Sequence, residues 1–350
     1  MEDIAKLAFE ESGVALISPC VYFELAMEFD EGLEILDFYN RAREALGGRL
    51  THYDTGEGRW KPFNKRAESL VPTWCENPVL FPKKYYCFLM NGADAGATAA
   101  GLRIDLAHRP YAEPDAAMLK QSRALDQRSL PAHTSLHLSL PLDHPLVTER
   151  RVADWLCEFD VIANSRFISG SCGLGLMFPL NFPTSALDGE TRNRVAALLQ
   201  RHPGFDIEAI MIGVGSKLRQ RDPEFIERHQ AAKARPYLKR ANWLTFLNED
   251  QVDWIGGLAK IKSELAGTDV RVREFKHGIC LQSGAEPQAG DTSRDDYVAA
   301  YHPVAKLVRP VRLDTLNGGL LPDDFVEHGL QDWLDAFDRS TDPRESRHAN

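Results

Sequence analysis

The segment from which the fold is inferred lies about two thirds of the way along this 350-residue chain. It reads Lys239-Arg240-Ala241-Asn242-Trp243-Leu244-Thr245-Phe246-Leu247. The apolar run from Trp243 to Leu247 predicts a buried strand. Asn242 and Thr245 are polar residues around the start of that strand, and we expect them to tie strand edges together. This segment is therefore interpreted first as a structural element of a sheet.

On both sides of this segment, strand and helix patterns alternate along most of the chain. The period-2 alternation from Val21 to Phe29 is typical of a half-buried strand, whereas the end of the chain shows apolar residues at helical spacing. Because several neighbouring strands look like hairpins, the predicted fold class is α+β (mixed α/β), with mixed β-sheets flanked by helices. The predicted strands lie at 21–29, 84–90, 101–108, 136–140, 174–180, 243–247, 269–275 and 278–282, and the predicted helices at 31–46, 147–162, 189–201, 249–265, 294–308 and 323–338.

A strand–helix–strand grouping occurs before and again after about residue 165, and this grouping predicts two lobes. We expect an N-terminal α/β lobe over residues 1–165 and a C-terminal α/β lobe over residues 166–350. The sequence shows no internal repeat that would prove a duplication, so one continuous domain is the alternative. A chain of 350 residues is long enough for either arrangement.

The composition is that of a globular protein with a sizeable core, since 43% of the residues are hydrophobic and 26% are charged. There is no apolar run of about 18 residues, so we expect no membrane span. The first residues lack the pattern of a secretory signal. Six scattered cysteines without a C-x-x-C pair argue against a zinc site or a disulfide framework and favour small buried hydrophobes in a reducing cytoplasm. They are Cys20, Cys75, Cys87, Cys157, Cys172 and Cys280.

The net charge of −10 is unevenly distributed along the chain. Residues 1–40 carry ten acids and one base, residues 314–338 carry seven acids and no base, and residues 217–240 carry eight bases and three acids. Acidic ends argue against nucleic acid as the main ligand and favour electrostatic steering toward a basic protein partner. The alternative is that these charged faces are simply solvated.

The richest glycine run of the chain is Gly170-Ser171-Cys172-Gly173-Leu174-Gly175. It lacks the Lys-Ser/Thr pair that a phosphate-binding loop needs after its last glycine. It also fails the G-x-S-x-G pattern of a nucleophile elbow, because a glycine follows Cys172 immediately. We interpret the run as a tight turn with close backbone packing.

An enzyme of the hydrolase or phosphoesterase type is the alternative from another functional class, centred on His133, His137 and Cys172. The two histidines belong to adjacent H-x-S triplets on one predicted strand, where they lie roughly 13 Å apart at about 3.3 Å per residue. At that distance they do not hold one phosphate or one metal, so the polar face of a strand is the favoured interpretation. No carboxylate spacing marks an acid–base pair. We therefore expect no catalytic residue, no metal and no cofactor.

Trp60 differs from the other tryptophans of the chain. It lies in Gly56-Glu57-Gly58-Arg59-Trp60-Lys61-Pro62, a turn-rich segment that we expect to be exposed, and an exposed tryptophan is a good anchor for a partner. The others lie mostly in apolar periodic segments and are expected in the core, namely Trp74, Trp155, Trp243, Trp254 and Trp333.

Several sequence motifs, and their order along the chain, resemble those of one bacterial protein family. The strongest likeness runs from Lys239 to about Arg312 and includes Asn-Trp-Leu-Thr at 242–245 and the Gly-x-x-Pro-x-x-Gly-Asp sequence at 284–291, which we interpret as a turn and a helix cap. A weaker likeness begins near residue 15. The chain resembles the TsiV-like type VI secretion immunity proteins, which protect a cell against VRR-Nuc-type nuclease effectors.

The resemblance implies a cytoplasmic, non-enzymatic protein whose partner is a cognate effector toxin, a DNase, and which contacts neither nucleic acid nor membrane. Because the toxin's DNA-binding surface should be basic, carboxylates here would occupy the place of phosphates. We predict that binding blocks the active or substrate-binding site of the toxin, and the remaining alternative is an effector-loading adaptor. The candidate contact residues are Glu57 and Trp60 in the turn-rich loop, and Asp324, Glu327, Asp332 and Asp335 on the acidic face of the last helix.

Overall fold

A computed structural model describes residues 1–11, 14–27, 32–56, 59–76, 85–92, 98–107, 134–177, 189–207, 238–312 and 321–338 of the chain. Within these ranges the chain forms helices that pack against one large β-sheet, which confirms the predicted α+β class. No helix in the described ranges has the length and apolar character required to cross a lipid bilayer.

The described strands make up one twelve-stranded sheet. They are β1 (Phe9–Glu11), β2 (Val14–Met27), β3 (His52–Asp54), β4 (Lys61–Pro62), β5 (Tyr85–Gly92), β6 (Thr98–Ala107), β7 (Thr134–Pro141), β8 (Phe167–Met177), β9 (Phe205–Asp206), β10 (Leu244–Asn248), β11 (Val270–Phe275) and β12 (Gly278–Ser283). Ten of them follow the order β11-β12-β10-β8-β2-β7-β6-β5-β3-β4, in which every neighbouring pair is antiparallel. Strand β1 pairs with β2, and β9 runs parallel to β8.

The middle of the sheet is the antiparallel pair β2–β8, which runs from Ser18 opposite Met177 to Met27 opposite Phe167. These two strands come from opposite sides of residue 165. The predicted lobes 1–165 and 166–350 therefore share one sheet, and their independence as lobes stays a prediction.

The described helices are mostly short. They are α1 (Glu2–Ala5), α2 (Gly32–Leu46), α3 (Lys65–Glu68), α4 (Leu70–Glu76), α5 (Pro145–Thr148), α6 (Val152–Cys157), α7 (Asp160–Ala163), α8 (Gly189–Arg201), α9 (Glu249–Ile255), α10 (Leu258–Glu264), α11 (His302–Val308), α12 (Asp323–His328) and α13 (Leu330–Leu334). Four of the long helices predicted from the sequence, over 147–162, 249–265, 294–308 and 323–338, are interrupted or begin later than expected.

Glycines lie at two of these interruptions, and at the first of them the backbone conformation is the cause. Gly256 and Gly257 have φ values of 114° and 88°, which separate α9 from α10 because a right-handed helix cannot continue through the left-handed region. Gly329 separates α12 from α13, and a Cβ there would lie 2.7 Å from the Phe325 ring, so glycine allows the two short helices to pack closely.

The main core lies on one face of the sheet. Phe23 of β2 is 1% exposed, and its ring lies 6.1 Å from the ring of Phe38 in α2. Helix α2 buries Ile35, Phe38, Tyr39, Ala42 and Leu46, whereas Leu33, two residues from Ile35 and so about 200° around the helix axis, is 69% exposed. The C-terminal helices cover a second apolar cluster, formed by Ile17, Leu174, Leu176, Val195, Ala196, Leu199, Phe205, Ile207, Leu321, Phe325, Leu330, Trp333 and Leu334.

Candidate functional site

The C-terminal segment 321–338 presents carboxylates to solvent on a well-buried base. Phe325, Leu330 and Trp333 are each 2% exposed, and the Trp333 indole donates a 3.1 Å hydrogen bond to the carbonyl of Phe205. The amphipathic pattern predicted for this segment is therefore present, although the helix is broken. Three predicted contact residues, Asp324, Glu327 and Asp332, are exposed, and we refer to them as the acidic face.

Arg312 attaches the end of this segment to the rest of the chain. Its guanidinium donates a 2.8 Å hydrogen bond to Asp335 Oδ1 and a 2.5 Å hydrogen bond to Asp338 Oδ2. It also reaches the carbonyl of Leu334. Asp335 also accepts a hydrogen bond from Gln331, so its carboxylate is engaged within the chain and only partly exposed.

Arg240 packs against the buried side of the C-terminal segment 321–338. Its guanidinium carbon lies 4.2 Å from the centroid of the Trp333 ring and 4.1 Å from that of Phe337, and it donates a hydrogen bond to the carbonyl of Pro203. Burial lowers the pKa of Arg240 to about 9, which leaves the guanidinium charged at neutral pH. The base of the acidic face is therefore fixed by two buried arginines, Arg240 and Arg312.

Next to Arg240, Lys239 lies in a buried ionic cluster on the opposite face of the sheet from Phe23. Its ammonium group donates to Glu24 Oε1 at 2.6 Å and to the carbonyl of Ile207 at 2.7 Å, and it lies 2.9 Å from Asp206 Oδ1. Burial alone lowers the pKa of Lys239, but the charges of Asp206 and Glu24 outweigh it and raise the pKa above its ordinary value. The cluster joins β2, the end of β9 and the segment before β10.

Asn242 extends this cluster and shows the structural role predicted for it. Its side-chain amide donates to Asp206 Oδ2 at 2.8 Å, its Oδ1 accepts from the backbone of Trp243, and its own backbone N–H donates to the Thr245 hydroxyl. A Cβ added at Gly173 would lie 1.8 Å from Asn242 Oδ1. The glycine run at 170–175 lies within strand β8, so the prediction of a tight turn is wrong. The predicted close packing of its backbone is confirmed by the contact between Gly173 and Asn242.

The residues proposed for an enzymatic site are not brought together in the part of the chain that the structure describes. Cys172 pairs with Phe23 and His137 pairs with Glu24, so the thiol and the imidazole lie on opposite faces of the sheet. His137 Nδ1 lies 2.6 Å from the hydroxyl of Tyr22, and burial raises the pKa of the Cys172 thiol well above its ordinary value. His133 lies outside the described residues. Across the described ranges, no cluster of three or more His, Cys, Asp or Glu side chains has a geometry suited to a metal ion.

The second predicted contact region lies at the far edge of the sheet. Glu57 lies outside the described residues, and Trp60, just before edge strand β4, is half-buried where exposure was expected. The backbone N–H of Arg59 donates to Asp54 Oδ1 at 3.1 Å. Strand β4 is six strand positions from β8, about 29 Å along the sheet at 4.8 Å per strand. The structure therefore does not bring Trp60 together with the acidic face.

Two large apolar side chains are exposed, and one of them, Trp254, was expected in the core. Trp254 of α9 is 42% exposed and Leu33 of α2 is 69% exposed. Trp254 directly precedes the buried Ile255, and its flanking acids Asp250 and Asp253 are exposed. Those neighbouring acids were the signal in the sequence that this side of α9 faces solvent.

The described part of the chain is thus an α+β scaffold built on one large sheet, with exposed carboxylates on its C-terminal helices. The chain belongs to the TsiV family, described as type VI immunity for VRR-NUC, which matches residues 34–335. The family and the immunity function expected from the sequence are thereby confirmed.

Among solved structures, the chain is similar to the Pseudomonas aeruginosa T6SS protein PA0821, with a TM-score of 0.70 and 15% sequence identity. The match covers 99% of this chain and 92% of that one, and it establishes a shared fold. No functionally curated protein matches the chain.

Proposed function

We propose that the protein neutralises a cognate VRR-Nuc effector by binding it directly and blocking its active or substrate-binding site. The single observation that carries this proposal is membership of the VRR-NUC immunity family over residues 34–335. The acidic face supplies a physical means of inhibition. A nuclease binds phosphates with lysines and arginines, and carboxylates can occupy the same cations.

The acidic face is also held in a form that suits tight binding. Nanomolar affinity corresponds to about −12 kcal/mol, and flexible contact residues lose part of that free energy when they become ordered. Arg240 stacks between Trp333 and Phe337, and Arg312 bonds Asp335 and Asp338, so the backbone carrying the acidic face is ordered before the partner arrives. The exposed charges then act mainly on the rate of association.

The loop with Glu57 and Trp60 is proposed as a second contact region. A standard interface of about 800 Å² per partner is roughly 30 Å across. Trp60 lies beside β4, about 29 Å along the sheet from β8, whose Leu174 and Leu176 belong to the apolar cluster under the acidic face, so the two regions would lie at opposite rims of one interface. Their contributions can therefore be measured separately.

In this proposal the protein acts in the cytoplasm by occupying a DNase, with no catalytic step of its own and no contact with nucleic acid. The placement of Cys172 and His137 on opposite faces of the sheet supports a binding role over a thiol–imidazole hydrolase. An effector-loading adaptor is separated from an immunity protein by whether it protects cells that contain no secretion system.

The test is co-expression of the protein with the VRR-Nuc effector encoded beside it, in cells that lack a type VI system. Survival, co-purification of a stable complex and loss of plasmid cleavage by the purified effector at a 1:1 ratio are the expected results. A stable complex whose effector still cleaves DNA would contradict inhibition and support the adaptor. Protection without any complex would contradict direct binding.

A further inference from the structure

Cys157 at the end of helix α6 and Cys280 in strand β12 are distant in sequence but lie on neighbouring elements of the fold. Cys280 is in β12, opposite Arg273 of β11, and the Arg273 guanidinium donates to Asp154, one turn before Cys157 in α6. Helix α6 is therefore tied to the sheet at the position of Cys280. Cys157 packs against the core cluster that contains Cys280.

The two thiols belong to one cluster of side chains, and they differ in exposure. Arg273 and Cys280 project from the same face of the β11–β12 pair, and Arg273 reaches Asp154 of α6, so Cys157 and Cys280 are neighbours in the fold. Each thiol influences the pKa of the other. Cys280 is 0% exposed, whereas Cys157 is half-buried. The pair thus has a half-buried sulfur backed by a sheltered one.

We propose that Cys157 and Cys280 are an oxidisable dithiol, a modification site at which a small peroxide converts the pair into a disulfide. The closeness of the two thiols, the guanidinium of Arg273 and the difference in exposure together supply a reactive sulfur and a resolving sulfur. None of these residues belongs to the contact regions proposed for the effector.

The expected chemistry follows from the surroundings of each sulfur. The hydrogen bond from Cys280 lowers the pKa of the Cys157 thiol, burial opposes this, and the charge of Arg273 adds to the lowering, whereas burial raises the pKa of Cys280 well above its ordinary value. The Cys157 thiolate attacks one oxygen of hydrogen peroxide, the O–O bond breaks, and Cys157 becomes a sulfenic acid with release of hydroxide, which takes up the proton lost by the thiol to form water. The Cys280 thiol then displaces the sulfenic hydroxyl as a second water, so that the two thiols lose two electrons to one peroxide.

The crosslink would join α6 to β12 and close a very long loop of the chain. Closing such a loop restricts the unfolded state, so the oxidised protein should unfold at a higher temperature, with Tm raised by about 5 °C or more. A dithiol reductant should restore the original Tm.

The test is treatment of the folded protein with hydrogen peroxide at neutral pH, followed by alkylation in denaturant and mass spectrometry. We expect the loss of two of the six thiols and one linked peptide pair containing Cys157 and Cys280. The variant Cys157→Ser should lose this reaction, and Cys75→Ser, which removes a buried cysteine from helix α4, should retain it.

Peptide mapping of the unmodified protein keeps the proposal testable even where a cysteine variant folds poorly. An unchanged thiol count would overturn the proposal. A crosslink from Cys157 to Cys172, or oxidation of Cys157 to sulfinic acid without any crosslink, would overturn it as well.

Discussion

The ammonium group of Lys239 and the carboxylate of Glu24 form a 2.6 Å ion pair although the two residues lie 215 positions apart in sequence. Their side chains are only 6% and 14% exposed. Asp206 lies on the other side of the same ammonium group, with its side chain 2% exposed. A single cation therefore neutralises part of the charge of two buried carboxylates at the middle of the sheet.

Removing this cation should cost far more stability than removing a surface lysine. Lys239→Met removes the cation that Glu24 and Asp206 share, and we expect a loss of about 3–5 kcal/mol of unfolding free energy. Lys262→Met is the matched control, because Lys262 pairs with Glu274 where both side chains are about half exposed, and it should cost less than about 1 kcal/mol. Urea unfolding of both variants gives the comparison, and equal losses would contradict a special role for Lys239.

The Asp291 carboxylate predicts a stability loss in acid. The hydrogen bond from Arg201, followed by that from Ser293, lowers the pKa of Asp291 below its ordinary value. Because the folded-state pKa is the lower one, this stabilisation is present above about pH 4 and is lost as pH falls toward the folded-state pKa. Asp291→Asn keeps a capping side chain but not the charge, so the Tm difference between wild type and variant should shrink as pH falls from 6 to 2. A constant difference over that range would contradict this assignment.

Glycine at position 173 is required by the space that Asn242 occupies. A Cβ there would stand 1.8 Å from Asn242 Oδ1, so Gly173→Ala must displace the amide that bonds Asp206. We expect Gly173→Ala to destabilise the protein by about 2–4 kcal/mol, through overpacking and a lost buried hydrogen bond. Gly48→Ala, at a site with no atom within 4 Å of the new methyl group, should be close to neutral in the same thermal unfolding experiment. Similar Tm values for the two variants would show that Asn242 can move at little cost.

Charge reversal of the acidic face should slow binding of the effector. In the triple variant Asp324→Lys, Glu327→Lys, Asp332→Lys we expect an association rate constant about tenfold to a hundredfold lower at low salt, and a weaker salt dependence.

The triple variant Glu44→Lys, Glu264→Lys, Asp269→Lys makes the same change in net charge at exposed positions on other elements. Stopped-flow or biosensor kinetics with both variants separates a local contact from the total charge of the protein. Equal slowing by both variants would remove the acidic face from the interface.

Trp60 should act on the lifetime of the complex and not on its rate of formation. Truncating an anchoring tryptophan typically costs about 2 kcal/mol or more, so Trp60→Ala should raise Kd by about thirtyfold, mainly through faster dissociation. Trp254→Ala is the matched control, because Trp254 is 42% exposed and lies on a different helix. A larger effect at Trp254 than at Trp60 would move the aromatic contact to α9.

Several elements were predictable because their signals are local. Helix α8 was predicted over 189–201 and spans Gly189–Arg201, since Pro203 and Gly204 directly after it prevent continuation. The second half of strand β2 was predicted from the alternation that begins at Val21, whereas its first half, from Val14, was not predicted. In contrast, the glycine run at 170–175 was predicted as a turn, although it lies within β8. Its glycines leave room for the side chains of Tyr22 and Asn242, which come from distant positions in the sequence and therefore give no local signal.

The proposed contact residues show the same division. The exposure of Asp324, Glu327 and Asp332 follows from helical spacing, which neighbouring residues determine. The ion pair between Asp335 and Arg312 and the exposure of Trp254 both depend on which elements pack around these residues. The sequence contains no local signal for the ion pair of Asp335.

The sequence by itself determined the class of fold, the family and most of the regular elements, because periodicity, capping residues and sequence motifs are properties of neighbouring residues. Only the tertiary structure decided which charges are buried and which remain exposed. Pairing of β2 with β8 brings Glu24, Asp206 and Lys239 to one point, and docking of the C-terminal segment brings Arg240 and Arg312 beneath the acidic face. These contacts join residues far apart in sequence, and their energy depends on burial, which exists only once the sheet and helices have packed.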